Sequence, residues 1–248
     1  MDSPGYIVLS RLIAAQRATA VTANNIANAE TPGFRASRPL FGTVLERQAR
    51  ADAPMGGRDL AFTQDRATWR EDAPAPLQTT GNPLDLALGD RDGFFVIETP
   101  RGERYTRAGR FTLDPGGQVV DPEGSPVLGA DGRPLLVPAG AARIQVRGDG
   151  AVVTENGPVG QLRVVRFADA QRLQAEGDRN MAAPADMPPQ NVERPGVIQG
   201  AMEGSNVRPV LELTRMTDEM RHFQFVAQMA EREGERLGTA VDRILRRR

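Results

Sequence analysis

The chain has 248 residues, 40% of them hydrophobic, so it can bury the core of one large domain or of two ordinary ones. Its 31 basic and 32 acidic residues give a formal net charge of -1, which excludes the positive surplus typical of nucleic-acid and anionic-membrane binders. Every basic residue is Arg and Cys is absent, which excludes a P-loop lysine, a Schiff-base lysine, disulfides and cysteine nucleophiles.

The sequence offers no catalytic or metal-binding set. His222 is the only His, which excludes a zinc site with several His ligands, and its position beside an apolar stripe favours a solvated side chain. The first residues lack the basic leader of a secretory signal, and no run approaches the roughly 20 apolar residues that span a membrane. We therefore expect a protein that is not an enzyme, has no cofactor, and has neither a cleaved signal peptide nor a membrane span.

The N-terminal segment predicts a helix with one apolar stripe. Between Tyr6 and Ala29 there is neither Pro nor Gly, and apolar residues recur at alternating spacings of three and four, as in a coiled-coil seam. Thr31-Pro32-Gly33 should end this helix, because Pro cannot continue it and Gly accepts a positive φ. The N-terminal stripe contains Tyr6, Leu9, Ile13, Ala20, Ala23 and Ala27, with polar Gln16 in the remaining place.

The segment from residue 35 to residue 80 has the weakest pattern in the chain. It is interrupted by Pro39, Pro54, Pro74 and Pro76, together with Gly56-Gly57. Because Pro disfavours the interior of both helices and sheets, we expect an irregular or extended connection that contains one or two strands.

Residues 81–204 predict an all-β middle domain of hairpins with an irregular exit segment. Apolar runs such as Phe94-Phe95-Val96-Ile97 and Leu162 to Phe167 lie between turn sequences rich in Asp, Gly and Pro, and several Pro between 184 and 195 mark the exit. Asp in such turns usually bonds its own backbone, so we interpret these carboxylates as turn formers and not as a calcium site. The turn residues are Asp90, Asp92, Asp114, Asp121, Asp131 and Asp149.

The C-terminal segment carries the clearest periodicity. Spacings of three and four continue almost to the terminus and predict one helix from Val207 to Leu245, roughly 60 Å long, with Ser205 or Asn206 as the N-cap. The mean helix has only about 11 to 12 residues, so a rod of this length needs a partner along it. The C-terminal stripe contains Leu213, Met216, Met220, Phe223, Ala227, Ala230, Gly234, Leu237, Val241 and Ile244.

Together these patterns predict an α+β fold with paired long terminal helices. We expect a discontinuous helical assembly domain formed by residues 1–34 and 205–248, a connection over 35–80, and the β-rich middle domain over 81–204. Burial of a large aliphatic side chain contributes about 1.5 to 3 kcal/mol, and Ala contributes less, so the Ala-rich N-terminal helix should depend on partners. From pattern alone, packing against neighbouring copies and a simple two-helix support for the β-domain explain the stripes equally well.

Four segments resemble known signatures in the N-terminal and middle parts of the chain. Asn24 to Phe34, which reads Asn-Asn-Ile-Ala-Asn-Ala-Glu-Thr-Pro-Gly-Phe, resembles the N-terminal signature of flagellar rod, hook and hook-associated axial proteins. Thr80 to Leu88, followed by Asp92-Gly93-Phe94-Phe95 and by Tyr105 to Phe111, is similar to the middle-domain signature of the rod and hook branch.

The resemblance continues at both ends of the chain. Gln199-Gly200, Glu203 and Ser205-Asn206-Val207 resemble the C-terminal signature of the same family. Pro4-Gly5-Tyr6-Ile7, Ser10-Arg11 and the modest length are more similar to proximal than to distal rod proteins.

The resemblance implies a structural subunit of a hollow helical rod, the flagellar drive shaft, which crosses the periplasm and has an inner tube of paired N- and C-terminal helices. It also implies unfolded export through the flagellar type III apparatus, and partners that are other rod proteins and further copies of the chain, not nucleic acid. Within the N-terminal signature, Ile26 and Ala27 should pack, and the Asn side chains can bond helix-end or neighbouring backbone groups. The expected assembly interface contains Leu9, Ile13, Ala20, Ala23, Asn24, Asn25, Ile26, Ala27, Asn28, Leu213, Met216, Met220, Phe223, Ala227, Ala230, Leu237, Val241 and Ile244.

Two alternatives to a proximal rod subunit remain open at this point. The chain could be a distal rod protein or another axial component, which would share the same physics and differ in position along the tube. It could also be a β-rich binding module for peptide or glycan, carried on a helical stalk that does not polymerise. Concentration-dependent assembly separates the axial proteins from the binding module.

Overall fold

The fold has helical ends and a β-rich middle, which confirms the predicted α+β class. In a computed structural model, the described residues are 3–48, 58–141, 143–177 and 179–245. The chain divides into two compact units and crosses between them four times. Unit 1 comprises Met1–Ala27, Ser37–Glu71 and Arg208–Arg248, and unit 2 comprises Asn28–Ala36 and Asp72–Val207.

Unit 1 consists of two helices and two long strands. Its elements are α1 (Ser3–Ala27), β1 (Ser37–Gln48), β2 (Arg58–Arg70) and α2 (Pro209–Leu245). Helix α1 begins three residues before Tyr6 and ends before Thr31-Pro32-Gly33, where Gly33 has the expected positive φ of 72°. The predicted helix break therefore lies where the sequence indicated.

Strands β1 and β2 occupy much of the segment for which the sequence predicted an irregular or extended connection with one or two strands. They pair antiparallel along their lengths, with one bulge between Leu40 and Phe41. The pattern missed their length because Pro39 interrupts β1, yet a two-stranded sheet leaves one edge of each strand unpaired, where Pro is tolerated. Pro54 and Gly56-Gly57 lie outside the described residues.

Helix α2 begins at Pro209, so the predicted N-cap at Ser205 or Asn206 is wrong. Pro209 occupies the first turn, where its missing N–H removes no helical hydrogen bond. In unit 2, Asn206 instead joins two neighbouring segments: its Oδ1 accepts from the backbone N–H of Ala36 at 2.7 Å, and its Nδ2 donates to the carbonyl of Ala73 at 3.1 Å.

Unit 2 is built from short strands joined mostly by tight turns. The elements are β3 (Leu77–Thr79), β4 (Leu86–Leu88), β5 (Phe94–Thr99), β6 (Gly102–Thr106), β7 (Thr112–Leu113), β8 (Val119–Val120), β9 (Ile144–Val146), β10 (Ala151–Thr154), β11 (Gly157–Gln161), β12 (Val164–Arg166), a 3-10 helix (Ala170–Arg172), β13 (Gln174–Ala175), β14 (Asn180–Ala182), β15 (Gln190–Asn191), β16 (Val197–Gln199) and β17 (Ala201–Glu203). A six-stranded sheet has the order β13-β14-β6-β5-β12-β15, a three-stranded sheet has the order β11-β10-β9, and β16-β4, β17-β3 and β7-β8 form pairs.

Strand β5 is the centre of the unit 2 core, because both of its faces are buried. Phe95 and Ile97 point into one apolar cluster, and Phe94 and Val96 point into another, as the alternation of side chains along a strand requires. Phe95 packs edge-to-face on Phe111 with ring centroids 5.3 Å apart. The uninterrupted apolar run in the sequence is therefore a strand buried on both sides.

The Asp-rich turns behave as the sequence predicted. A carboxylate oxygen of each of five residues accepts a backbone N–H two or four positions further along, which confirms the turn interpretation for Asp90, Asp114, Asp121, Asp131 and Asp149. Among the described residues, no group of three or more His, Asp or Glu is placed to hold a metal ion. In the same ranges, neither helix is long and apolar enough to cross a membrane.

The signature segments meet inside unit 2. The backbone N–H of Gly33 donates to the carbonyl of Glu203 at 2.9 Å, and a Cβ on Gly33 would lie 2.6 Å from the backbone nitrogen of Ala108. The N–H of Leu86 donates to the carbonyl of Gly109 at 2.8 Å, in a contact that leaves no room for a side chain. The N-terminal, middle and C-terminal signatures thus contribute to one packing arrangement.

A buried ion cluster holds the same region together. Arg107 Nε donates to a carboxylate oxygen of Glu203 at 2.6 Å, and its other nitrogens donate to the carbonyls of Asp90, Arg91 and Gly93. Arg35 lies beside them and also donates to the Arg91 carbonyl at 2.7 Å. The sequence did not identify this cluster, because Arg and Glu usually lie at the surface and only the fold brings them together.

Candidate assembly surface

The buried face of α1 does not coincide with the N-terminal stripe, because the buried residues lie one position after stripe residues. Ala14 and Val21 are buried, and each directly follows a stripe residue. Neighbouring residues on a helix are about 100° apart, so this offset rotates the stripe towards solvent. Tyr6, Leu9 and Ile13 are accordingly 59%, 50% and 56% exposed. The largest apolar side chains of the stripe therefore stay accessible in the single chain.

The buried face of α2 is also displaced from its apolar stripe, here by one residue towards the N-terminus. Its inner face contains Glu212, Glu219 and Val226, and each directly precedes a residue of the C-terminal stripe. Leu213 and Met220, which follow the two carboxylates, are exposed. The two helices do pair, as predicted, but the paired face includes charged side chains while apolar side chains remain outside.

The remaining predicted interface residues divide by exposure. Ala20, Asn24, Ala27 and Phe223 are exposed, and Ala23, Ile26, Met216, Ala227 and Ala230 are half-buried. Asn25 is buried in unit 1, and Asn28 is half-buried in unit 2. The expected packing of Ala27 stays a prediction, because it is exposed in the single chain. The side chains of Leu237, Val241 and Ile244 lie outside the described part of the molecule.

Glu212 is the centre of a buried polar network that joins α2, α1 and β1. Its side chain is 1% exposed, and Arg38 donates from two guanidinium nitrogens to its two oxygens, each at 2.8 Å. Asn25 Nδ2 adds a third donor at 3.2 Å. Burial alone would raise the pKa of Glu212, but the hydrogen bonds from Arg38 and Asn25 outweigh it and hold the pKa below its ordinary value.

Asn25 also fixes the backbone where β1 begins. Its Nδ2 donates to the carbonyl of Ser37 at 2.9 Å, and its Oδ1 accepts from the N–H of Ser37 at 2.9 Å. Asn28 Oδ1 accepts from the Thr31 hydroxyl at 3.2 Å, in the turn that follows α1. Asn25 thus bonds a neighbouring backbone segment, as expected for this residue, and the assembly role of the Asn residues of the N-terminal signature stays a prediction.

Glu219 lies seven residues after Glu212 and is less well satisfied. The Thr22 hydroxyl donates to its Oε1 at 3.0 Å, whereas its Oε2 is buried and has no hydrogen-bond partner among the described residues. Burial raises the pKa of Glu219; the bond from Thr22 opposes this shift, and the charge of Glu212 adds to it. The ionised carboxylate is therefore a source of instability in the helix pair.

Replacing Glu219 with Gln is expected to stabilise unit 1 at neutral pH. A folded-state pKa above the unfolded one means that stability falls as pH rises from the ordinary Glu value through the raised value. Gln carries no charge, so the gain should be about 1 kcal/mol near pH 7 and should disappear below about pH 4, where the carboxyl is protonated in both states. Chemical denaturation at both pH values measures it.

The matched control for this change is Glu235→Gln, because Glu235 is an exposed residue of the same helix. It should leave stability near the wild-type value at both pH values, since exposed charges contribute little. A Glu219→Gln chain that is less stable than wild type near pH 7, or equally stabilised at both pH values, would contradict this interpretation.

An apolar groove opens between α1 and α2 on the solvent side of the pair. Thr19, Ala20 and Ala23 of α1 line one side of it, and Met220 and Phe223 of α2 line the other. Its volume is about 550 Å³. The groove exists because the small α1 residues leave space beside two large α2 side chains, and it contains four residues of the predicted interface.

The β1–β2 hairpin contacts a further side of α1. Ser10 Oγ accepts from the backbone N–H of Thr63 at 3.3 Å, and Arg17 forms an ion pair with Asp65 at 3.3 Å and donates to Thr68 at 3.4 Å. Helix α1 is thus in contact with both α2 and the hairpin. The N-terminal stripe forms the apolar part of the side that remains open to solvent.

Family models match three parts of the chain. Residues 6–35 match the Flagella basal body rod protein family, residues 90–154 match the Flagellar hook protein FlgE/F/G D1 domain, and residues 198–243 match the Flagellar basal body rod FlgEFG protein C-terminal family. The first and third matches include most of α1 and α2, which carry the exposed stripes. The second covers much of the β-rich unit 2.

Known proteins are similar over almost the whole length. The chain is 34% identical to the flagellar basal-body rod protein FlgF of Caulobacter vibrioides over 244 residues, which covers 98% of each chain. It is 35% identical to FlgF of Rhizobium meliloti, covering 94% of this chain and 95% of that protein. It is 32% identical to the flagellar basal-body rod protein FlgG of Bacillus subtilis, covering 82% of this chain and 84% of that protein.

Proposed function

Because this chain belongs to the flagellar basal-body rod protein family, we propose that it polymerises as a structural subunit of the rod through its terminal helices. The observation that carries the proposal is the exposure of the apolar stripes. Leu9 and Ile13 of α1 and Leu213 and Met220 of α2 lie in solvent, while the carboxylate of Glu212 is buried on the inner face of α2. A stable arrangement that leaves large apolar side chains outside indicates a surface that other molecules cover.

A rod requires contacts that continue from one subunit to the next. Such contacts are heterologous, with one face of a subunit meeting a different face of its neighbour, so the assembly does not close. Burying each large aliphatic side chain contributes about 1.5 to 3 kcal/mol, and several are available in each stripe. The discontinuous pair of terminal helices then acts as the assembly domain, and the β-rich middle domain has no part in this contact.

The proposal includes a proximal position in the rod. The FlgF relatives named above cover 94% or more of this chain, whereas the FlgG relative covers 82%. Together with the opening residues of the chain, this favours the proximal rod over the distal rod. The same proposal includes a periplasmic location, export through the flagellar type III apparatus, and a structural role without catalysis, with other rod proteins as partners.

The chain carrying Leu9→Asp and Ile13→Asp should lose assembly. Two carboxylates in the N-terminal stripe would have to be desolvated in every subunit contact, which opposes association strongly. Sedimentation at increasing concentration, alone and with the other rod proteins, should show large particles for wild type and a monomer for the variant. Circular dichroism should show that the variant keeps its helices, because both positions are exposed in the single chain.

The matched control is Leu136→Asp, which changes an equally exposed Leu in unit 2 and should assemble as wild type does. A stripe variant that assembles normally would refute polymerisation through the helices. A wild-type chain that remains monomeric under all these conditions, and binds a peptide or glycan, would favour the binding module.

A further inference from the structure

We propose that the groove between α1 and α2 receives the bulky half of the N-terminal stripe of a second copy of the chain. This inference rests on the proposed polymerisation and specifies which surfaces meet. The bulky half consists of Tyr6, Leu9 and Ile13, which are exposed on α1. The groove lies further along the same helix, beside Ala20 and Ala23. The N-terminal stripe of each copy thus contains both the bulky half and one wall of the groove.

The two surfaces match in length and in volume. Tyr6 to Ile13 spans seven residue steps, and Gln16 to Ala23 spans seven, so each surface is about 10 Å long at 1.5 Å per residue. The groove volume is about 550 Å³. An apolar cavity of about 150 Å³ accepts a benzene ring, so this groove can hold several side chains from one helix.

The charges of the two helices are also complementary. Helix α1 contains Arg11 and Arg17 and no acidic residue, whereas α2 contains seven acidic residues against five Arg. The opposite net charges of the two helices therefore favour the approach of α1 of one copy to α2 of another. This attraction favours a particular orientation of the two copies more than it adds affinity.

The bulky half and the groove lie at different positions along α1, and this offset produces an open chain of subunits. The bulky half begins ten residues before Gln16, so each copy is displaced by about 15 Å along the helix of the next. A copy that inserts its bulky half into the groove of one neighbour still presents its own groove to another copy, and the contact continues without closure. A two-fold dimer in which each copy filled the other's groove would instead close the contact and leave no groove free for a third copy.

Cysteine cross-linking tests this arrangement directly, because the natural chain contains no Cys. The variant with both Ile13→Cys and Ala23→Cys, which the displacement of ten residues brings face to face in neighbouring copies, should form a ladder of disulfide-linked copies under the conditions of wild-type assembly. The two positions are ten residues apart on one helix, or about 15 Å, which is too far for a disulfide within one chain. Each single variant should lose the ladder, and mixing the two should restore a linked dimer.

A second pair, Leu9→Cys with Thr19→Cys, serves if the first pair disturbs folding, and Leu136→Cys mixed with Ile13→Cys is the control that should not link. Self-linking of Ile13→Cys at the level of the mixture would overturn the docking in favour of a symmetric contact, and a double variant that stops at a linked dimer would overturn the open chain in favour of a closed pair. If the variants still sediment as large assemblies but neither pair gives a disulfide between different copies, the docking would be overturned and polymerisation would stand. Failure of wild type to assemble would overturn both.

Discussion

Replacing Arg38 with Met is expected to lower the free energy of unfolding of unit 1 by about 3 to 5 kcal/mol. The change removes both guanidinium donors from Glu212, whose side chain is 1% exposed, and leaves Asn25 and Arg215 as the remaining donors. Removing one partner of a buried ion pair lowers the free energy of unfolding by more than the intact pair contributes to it, because the remaining carboxylate stays buried without its main donor. Chemical denaturation followed by far-UV circular dichroism near neutral pH measures the loss.

The control for Arg38 is Arg17→Met, because Arg17 pairs with Asp65 at 3.3 Å on the surface. An exposed pair is worth about 0 to 1 kcal/mol, so this variant should remain close to wild type. The low pKa of Glu212 gives stability that is present above the unfolded Glu pKa and lost as pH falls through the folded value. The difference between Arg38→Met and wild type should therefore shrink in acid. Equal losses for the two Arg variants would contradict the account of this network.

Replacing Gly109 with Ala is expected to destabilise unit 2 by about 3 kcal/mol or more. A Cβ at this position would lie 1.6 Å from the carbonyl oxygen of Leu86 and 2.7 Å from its carbonyl carbon. The obstacle is backbone, so relief requires β4 to move away, which breaks the 2.8 Å hydrogen bond between the Leu86 N–H and the Gly109 carbonyl. Hydrogen exchange of the β4 and β5 amides and chemical denaturation measure the effect.

Gly148→Ala is the matched control for Gly109. A Cβ there would meet only the carbonyl oxygen of Val197, at 3.9 Å, which is an ordinary contact. This variant should keep wild-type stability and exchange rates. If Gly109→Ala behaved in the same way as Gly148→Ala, the close approach of the two signature segments would not be required for folding.

The sequence predicts the elements of this fold where the cause is local. Spacings of three and four over ten or more residues indicated both terminal helices, and the break at Pro32-Gly33 marked the end of the first. Likewise, Asp residues followed by Gly identified turns that the structure contains. In each case the residues that determine the conformation are neighbours in the chain.

The sequence could not show which side of each helix would face inward. The pattern placed Leu213 and Met220 at the helix contact, whereas Glu212 and Glu219 lie there. A carboxylate can be buried only beside donors, and the donors of Glu212 come from Arg38 and from α1, at the other end of the chain. Periodicity measures apolarity along one helix and contains no information about partners this distant.

The polar inner faces and apolar outer faces of the two helices link the fold to the proposed assembly. Polar contacts from Asn25 to Glu212 and from Thr22 to Glu219 join the terminal helices, and the bidentate pair with Arg38 of β1 fixes the position of Glu212. The apolar stripes are then left for contacts with other molecules, where removal of apolar surface from water supplies the favourable free energy. The stripes were identified from sequence, but the division between inner polar face and outer apolar face required the structure.

The most direct test of the rod function is electron microscopy of basal bodies from cells that lack this protein, with wild-type cells as reference. In cells without this subunit, the rod should be absent or stop at its proximal part, and no hook should be attached. The wild-type gene should restore a complete rod containing the protein, and the Leu9→Asp, Ile13→Asp variant should not. A complete rod and hook in cells that lack the protein would contradict the central claim.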